Sequence, residues 1–388
     1  MTLVDLNRLK DLPSIVNSSN LCAGSACLNS TDFANLKLLI AQEQGNLEQG
    51  EAVPNPTTTT TSAASTPSPT PVIFRELTTK SNVSTVAGGG TLGTADGNAT
   101  TAEFNAPQSI LMLPNGTLYV AEDALIRSIS PQGIVTKAFG TGARGIQDGQ
   151  GTSAKLLTPY GLLRAPNGTI YFSDGSRIRA ISPSGYVYTV AGGASSGVTN
   201  GACSSSLFNF PAGLAMTSNG TIIVADFGNS KIRTISPNCV VKTIGSSGQF
   251  SQPFGVAVDA NDTSYVSEAF GKSIQKITSN GTVTTLAGDG FAGTTDGPGS
   301  VATFSDLREI TMGQNGVMYV ADWGNHRIRK VYTNGTVTTI SGGTGGGYAD
   351  GIASSAKFAQ PAGMHVLADG TLYVTETGNK RIRKIFNP

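Results

Sequence analysis

An acid closes the same short apolar run six times, at Glu122, Asp174, Asp226, Glu268, Asp322 and Glu376. A basic residue follows in five of the six next runs, Arg127, Arg179, Arg233, Arg329 and Arg383, with Gln275 in the fourth. A carboxylate near a guanidinium can serve acid–base chemistry, but a catalytic pair is needed once. Regular repetition points instead to turn capping and cross-strand pairing. The loop aspartates Asp96, Asp148, Asp296 and Asp350, with Asn200 in the same place of the third unit, fall under the same argument. Each loop offers one carboxylate, against the roughly six to eight oxygens that calcium takes.

Other chemical motifs are thin. Gly193-Ala194-Ser195-Ser196-Gly197 has the spacing of a nucleophile elbow, yet it stands in a glycine-rich loop and lacks the strand before and helix after that the motif requires. The two histidines, His326 and His365, are too few for a three-histidine zinc site, so no metal and no cofactor is expected. The places where the repeat breaks say more. Four units start their first strand Pro159-Tyr160-Gly161, Pro211-Ala212-Gly213, Pro253-Phe254-Gly255 and Pro361-Ala362-Gly363, whereas the fifth has Leu307-Arg308-Glu309. Arg164 likewise stands where the other units carry Met112, Met216, Val258, Met312 and Val366. A local salt bridge accounts for these breaks as well as a polar ligand site does. Arg308, Glu309, His365 and Arg164 are the ligand-binding candidates. Trp323, Phe227 and Phe270, in turns on the same face, either shield packing or present a partner surface.

The elements that position these residues follow from the repeat. A turn dipeptide recurs at Asn115-Gly116, Asn167-Gly168, Asn219-Gly220, Asn261-Asp262, Asn315-Gly316 and Asp369-Gly370, spaced 52, 52, 42, 54 and 54 residues apart. Each marker precedes an alternating run ending in the acid, then a short turn and a second run (LYVAE and IRSI in the first unit, MYVAD and IRKV in the fifth). Asn-Gly between alternating runs is a hairpin signal. A further strand lies on either side, which makes four antiparallel strands repeated six times. The fold class expected is all-β, a six-bladed β-propeller. The last unit stops after three strands, and the orphan run Val83-Ser84-Thr85-Val86-Ala87-Gly88 is expected to complete it, removing an open sheet edge. The 49 glycines among 388 residues supply the turns such a fold demands and exclude a mainly helical protein.

Ala321-Asp322-Trp323-Gly324-Asn325-His326-Arg327-Ile328, followed by Arg329-Lys330-Val331, resembles the NHL repeat. The resemblance covers about residues 82–388 and implies the propeller fold. It implies no single function, because NHL propellers occur in extracellular sensors and adhesion proteins, RNA-binding regulators and the lyase that completes peptide amidation.

Three regions are expected: a short helical N-terminal segment over 1–52, a Thr/Ser/Pro-rich linker over 53–75, and the propeller over 82–388. Leu3, Leu6 and Leu9, then Phe33, Leu36, Leu39 and Ile40, show the helical spacing. The run VPNPTTTTTTSAASTPSPT lacks the apolar residues to offset chain entropy and reads as an extended, O-glycosylated spacer. No apolar run approaches a membrane span, and residues 1–12 lack a signal-peptide core, so a secreted product needs a leader outside this sequence or already removed. Cys22 and Cys27, close together in a polar stretch, are the candidate disulfide, while Cys203 and Cys239 fall in different repeat loops and are expected to stay unpaired.

The triplet Asn-x-Ser/Thr occurs at Asn17, Asn29, Asn82, Asn98, Asn115, Asn167, Asn219, Asn261, Asn280 and Asn334. Hairpin chemistry alone favours Asn-Gly followed by Thr, but Asn17, Asn29, Asn82 and Asn98 lie outside the hairpins. Six of the sequons belong to turns on one face, and Asn98, in an inter-blade loop, is expected on the opposite one. With the linker and a charged fraction of only 13%, they point to a secreted or cell-surface glycoprotein. The function expected is a non-enzymatic propeller for ligand binding, adhesion or assembly of a surface structure, its partner a protein or a glycan, possibly copies of itself. A propeller lyase or hydrolase with its site at the channel mouth is the alternative. An RNA-binding regulator is the second. Lys+Arg of 26 against Asp+Glu of 25 gives no field for a nucleic acid partner, and no membrane insertion is expected.

Overall fold

The computed structural model describes residues 74–343 and 345–388, with the backbone of Cys22–Ala23 and Ala26–Cys27. The expected helices at 1–52 and most of the linker lie outside the described residues. Cys22 stands opposite Cys27 in a pair of two-residue strands; their side chains are outside the description.

Six antiparallel sheets form the propeller, each with its first strand (a) innermost and its fourth (d) outermost. The a strands are Ser109–Met112, Pro159–Arg164, Pro211–Met216, Pro253–Val258, Leu307–Met312 and Pro361–Val366 for blades 1 to 6. The b strands are Leu118–Glu122, Ile170–Asp174, Ile222–Asp226, Ser264–Glu268, Met318–Asp322 and Leu372–Glu376, and the c strands Leu125–Ile129, Arg177–Ile181, Lys231–Ile235, Ser273–Ile277, Arg327–Val331 and Arg381–Phe386. The d strands of blades 1 to 5 are Ile134–Phe139, Tyr186–Ala191, Val240–Ile244, Val283–Ala287 and Val337–Gly342. Alternation along these strands sends side chains into the seams on both sides of every blade. Each seam is a separate apolar cluster, such as Phe104, Ile110, Val120 and Ile129 with Ile382 between blades 6 and 1.

The ring closes as the sequence implies. Asn82–Ala87 pairs antiparallel with Arg381–Phe386, Val83 opposite Ile385, as strand d of blade 6. The chain before it is also fastened. Leu77 is fully buried in the seam between blades 5 and 6, and its N–H donates to Tyr319 Oη at 3.3 Å. The Arg75 N–H donates to the Asp369 carbonyl at 3.1 Å, in the a–b turn of blade 6. Arg75 therefore lies at the face that carries the a–b and c–d turns.

The loops between blades run down the outside of the next blade as short fifth strands: Gly97–Asn98, Gly149–Gln150, Gly201–Ala202 and Gly351–Ile352 pair with the d strands of blades 1, 2, 3 and 6. This corrects two expectations. Ala202 stands opposite Val240, which brings Cys203 and Cys239 to a Cα–Cα distance of 5.3 Å, and they form a disulfide instead of staying unpaired. Asn98 stands opposite Ile134, the first residue of a d strand, so it sits with the other sequons and not on the opposite face. No helix among the described residues is long and apolar enough to cross a membrane.

Candidate functional site

The repeated acids and arginines hold the blades together. Arg127 donates at 2.8 Å to Glu122 and at 2.7 Å to the loop residue Asp96, both Arg127 and Glu122 being fully buried. Glu122 also accepts the Asn105 N–H at 2.6 Å, so one carboxylate caps the inter-blade loop and pairs with the strand behind it. Arg179, Arg233, Arg329 and Arg383 repeat the arrangement with Asp148, Asn200, Asp296 and Asp350. Each guanidinium lies over a buried ring, Phe104 at 5.6 Å and Phe304 at 4.9 Å among them. Burial raises the pKa of Glu122, Asp174, Asp226, Asp322 and Glu376, and the arginine beside each opposes that rise. Blade 4 changes as a unit: the loop before it is shortened, its aspartate is missing, and Gln275 replaces the arginine, donating to Glu268 at 3.0 Å. A second carboxylate and the charge it balances disappear together.

The face carrying the inter-blade loops is uneven. Tyr160, Phe210, Phe227 and Phe254, from blades 2, 3 and 4, meet edge to face, with Tyr160–Phe210 at 5.0 Å and Phe227–Phe254 at 5.8 Å between centroids. Arg308 continues this arc. Its guanidinium stands 4.5 Å from the Phe254 centroid and 5.0 Å from that of Trp323, and Nη2 donates to Asp306 at 3.2 Å. Trp323 is held in turn by Nε1 donating to Thr377 of blade 6 at 3.1 Å. Beside Arg308 is a cavity of about 260 Å³ that also touches Asp306, Lys272, Phe227 and Phe270. Phe270 is 70% exposed, with Lys272 Nζ 5.1 Å from its ring centre. Asp306 Oδ1 and Arg308 Nε are buried without hydrogen-bond partners.

Below this mouth the a strands enclose a channel cavity of about 240 Å³, and both Glu309 and His365 line it. Burial pushes the Glu309 carboxyl up to about 8 against the opposing pull of the Ile310 amide, and pushes the His365 imidazole down to about 4. Near neutral pH the channel therefore holds a protonated acid and a neutral imidazole. Of the four candidates, Arg308, Glu309 and His365 belong to the mouth and its channel. Arg164 is exposed at the far end of its strand, opposite Ile170 and beside the a–b turn. His326 lies in a b–c turn, where Nδ1 accepts the Gln360 N–H at 3.1 Å.

Sequence reasoning found Trp323, Phe227 and Phe270 but missed Tyr160, Phe210 and Phe254. For Tyr160 and Phe254 the signal was present: the middle residue of the Pro-x-Gly slot is alanine in two blades and aromatic in two, whereas Phe210 stands just before that slot. The opposite face carries the turn asparagines. Asn115, Asn167, Asn219, Asn280 and Asn334 are exposed there, and each Oδ1 accepts the N–H two residues on, at 2.9–3.1 Å. Asp369 does the same in blade 6 without forming a sequon.

Comparison with known proteins agrees with this architecture. The NHL repeat family matches residues 208–235. Human teneurin-4 is 25% identical over 262 residues, which is 61% of this chain and 8% of that protein. The chain thus spans about a tenth or less of the length of the curated relatives it matches. Among solved structures, an auxiliary nutrient binding protein from Bacteroides thetaiotaomicron superposes with a TM-score of 0.63 at 17% identity, covering 79% of this chain and 76% of that one. A catalytically inactive virginiamycin B lyase from Staphylococcus aureus, solved with quinupristin, has a TM-score of 0.51 at 18% identity, covering 76% of this chain and 99% of that one. At such identities the likeness is one of fold.

Proposed function

We propose that this NHL-repeat β-propeller is a non-enzymatic, extracellular or cell-surface glycoprotein that binds a protein or glycan partner through the inter-blade-loop face, in adhesion or in assembly of a surface structure. The observation that carries the reading is the division of the two faces. One holds an aromatic arc, half-buried at Tyr160, Phe210 and Phe227, that ends in Arg308, with unpaired polar atoms beside a cavity, the pattern of a recognition surface. The other carries the turn sequons, with Arg75 fastened beside them. Glycans on that second face turn the first face outward. The nutrient binding protein fits the binding class, without fixing the ligand.

The test is binding of fluorescently labelled protein to the cells that produce it, comparing wild type with Arg308→Ala. The expected result is about a tenfold loss of binding at unchanged melting temperature. A large loss of stability with undiminished binding would assign Arg308 to structure. A second reading, an enzyme of the lyase or hydrolase kind, draws on the protonated carboxyl and neutral imidazole that share the channel. Turnover of a lactone or cyclic depsipeptide that disappears with Glu309→Gln or His365→Ala would favour it.

A further inference from the structure

Four of the six inner strands carry glycine in third place because the next blade's backbone stands there. A Cβ would lie 2.6 Å from the Ala212 oxygen at Gly161, 2.6 Å from the Phe254 oxygen at Gly213, 2.6 Å from the Ile310 nitrogen at Gly255 and 2.5 Å from the Gln108 oxygen at Gly363. Blade 1 uses the small Ser109, whose Oγ accepts the Leu162 N–H at 3.2 Å. Blade 5 places a long acidic side chain at this position. Glu309 lines the channel cavity of about 240 Å³, among Ile110, Leu162, Leu214, Val256 and Met364.

Every fully buried acid of the described residues hydrogen-bonds to an arginine or glutamine side chain. Glu309, half-buried in the wall of the channel, has no side-chain partner among the described residues. A carboxyl in a confined channel without an ion-pair partner is an unfavourable place for a charge, and the seam itself asks for glycine. An occupant that needs the acid resolves the conflict. An anion would be repelled once the carboxyl ionised. A multivalent metal ion takes more oxygen ligands than one carboxylate supplies, and a neutral hydrocarbon would give the acid no counter-ion.

We propose that the central channel binds a small organic ammonium ion, a primary amine on a short aliphatic chain, with Glu309 as its counter-ion and the a-strand walls around its tail. The proposal rests on the reading of the propeller as a binding protein and names a ligand class for its channel. In the free channel the Glu309 carboxyl holds its proton. Entry of the ammonium ion leaves a carboxylate paired with R–NH3+ and releases that proton to solvent, so charge balances. The groups packed around Glu309 supply no competing cation in the channel. His365 of blade 6 is held neutral by burial. Arg308 is turned to Phe254, Trp323 and Asp306. Asp322 of the neighbouring b strand is committed to Arg329, and Tyr319 accepts the Leu77 N–H. The blade 4 strand Pro253–Val258 has no titratable side chain.

Titration calorimetry of the full chain with n-butylammonium chloride tests this, with n-butanol as the neutral isostere. Butylammonium is expected to bind about tenfold or more tightly than butanol, to release about one proton near neutral pH, and to gain about tenfold in affinity per pH unit up to about pH 8. Glu309→Gln is expected to abolish the preference. Glu309→Gly, which restores the residue of the other blades, gives the same reading if the glutamine variant fails to fold. Equal binding of alcohol and ammonium, undiminished ammonium binding by a folded Glu309 variant, or no ammonium binding by the wild type would each overturn the proposal. Partner binding at the outer mouth is read separately through Arg308→Ala, so failure here leaves that surface standing.

Discussion

Replacing Glu309 by glutamine is expected to change how stability depends on pH. The carboxyl goes from an ordinary value of 4.5 to about 8 in the folded channel. Below pH 4.5 both folded and unfolded chains hold the proton, and the group favours neither. As pH rises from there to about 8, the unfolded chain ionises while the folded one does not, so folding loses ground across that window and levels off above it. A shift of this size at ~1.36 kcal/mol per unit sets a ceiling of about 5 kcal/mol on the loss. Glu309 is partly open to channel water, and screening brings the expected loss to about 2–4 kcal/mol. Glutamine keeps the shape and cannot ionise. The variant should match the wild type near pH 4.5 and exceed it in stability near pH 8. The repeated buried acids and His365 titrate in both proteins and cancel in the difference. Urea unfolding at a series of pH values, followed by Trp323 fluorescence, gives the two curves. Parallel curves would refute the claim that Glu309 is held as a neutral acid.

Deleting residues 1–71 should leave a folded propeller, whereas deleting 1–90 removes Leu77 and strand Asn82–Ala87 and opens the outer edge of the last blade at Arg381–Phe386; equal melting temperatures and equal light scattering would defeat this. Arg329→Met strands the fully buried Asp322 and should cost about 3–5 kcal/mol in denaturant unfolding. Asp322→Leu made together with it should recover part of that loss, and a cost equal to the sum of the single changes would argue against a coupled pair. Cys203→Ser with Cys239→Ser opens a link across 36 residues and should lower stability by at most about 4 kcal/mol. An unchanged melting temperature would show that the fifth strand of blade 3 needs no such tie.

The blade order was legible because the turn dipeptides, the alternating runs and the closing acids each repeat in register, and a repeat states its own period. The ring closure was legible as an orphan strand at one end and a missing one at the other. The disulfide was not: Cys203 and Cys239 are neighbours only because the inter-blade loop folds back as a fifth strand, whose two residues carry no hydrophobic alternation. The equivalent strand of blade 1, Gly97–Asn98, misplaced Asn98 for the same reason. Arg308 and Glu309 stood out as a broken repeat, yet the sequence could not divide their roles. Adjacent residues on a strand point to opposite sides, so Arg308 meets Phe254 and Trp323 at the mouth while Glu309 enters the channel. Tyr160, Phe210 and Phe254 come from three blades and converge only in space. Arg164 broke the repeat as plainly as Arg308, and the structure places it at the opposite end of the molecule.

The division of the propeller into a sugar-coated face and a binding face is most directly tested by glycopeptide mass spectrometry on protein isolated from its natural source. The account predicts N-linked glycan at Asn115, Asn167, Asn219, Asn261, Asn280 and Asn334, all exposed at the a–b and c–d turns. Unmodified asparagine at these six positions would contradict it and reduce the triplets to hairpin chemistry.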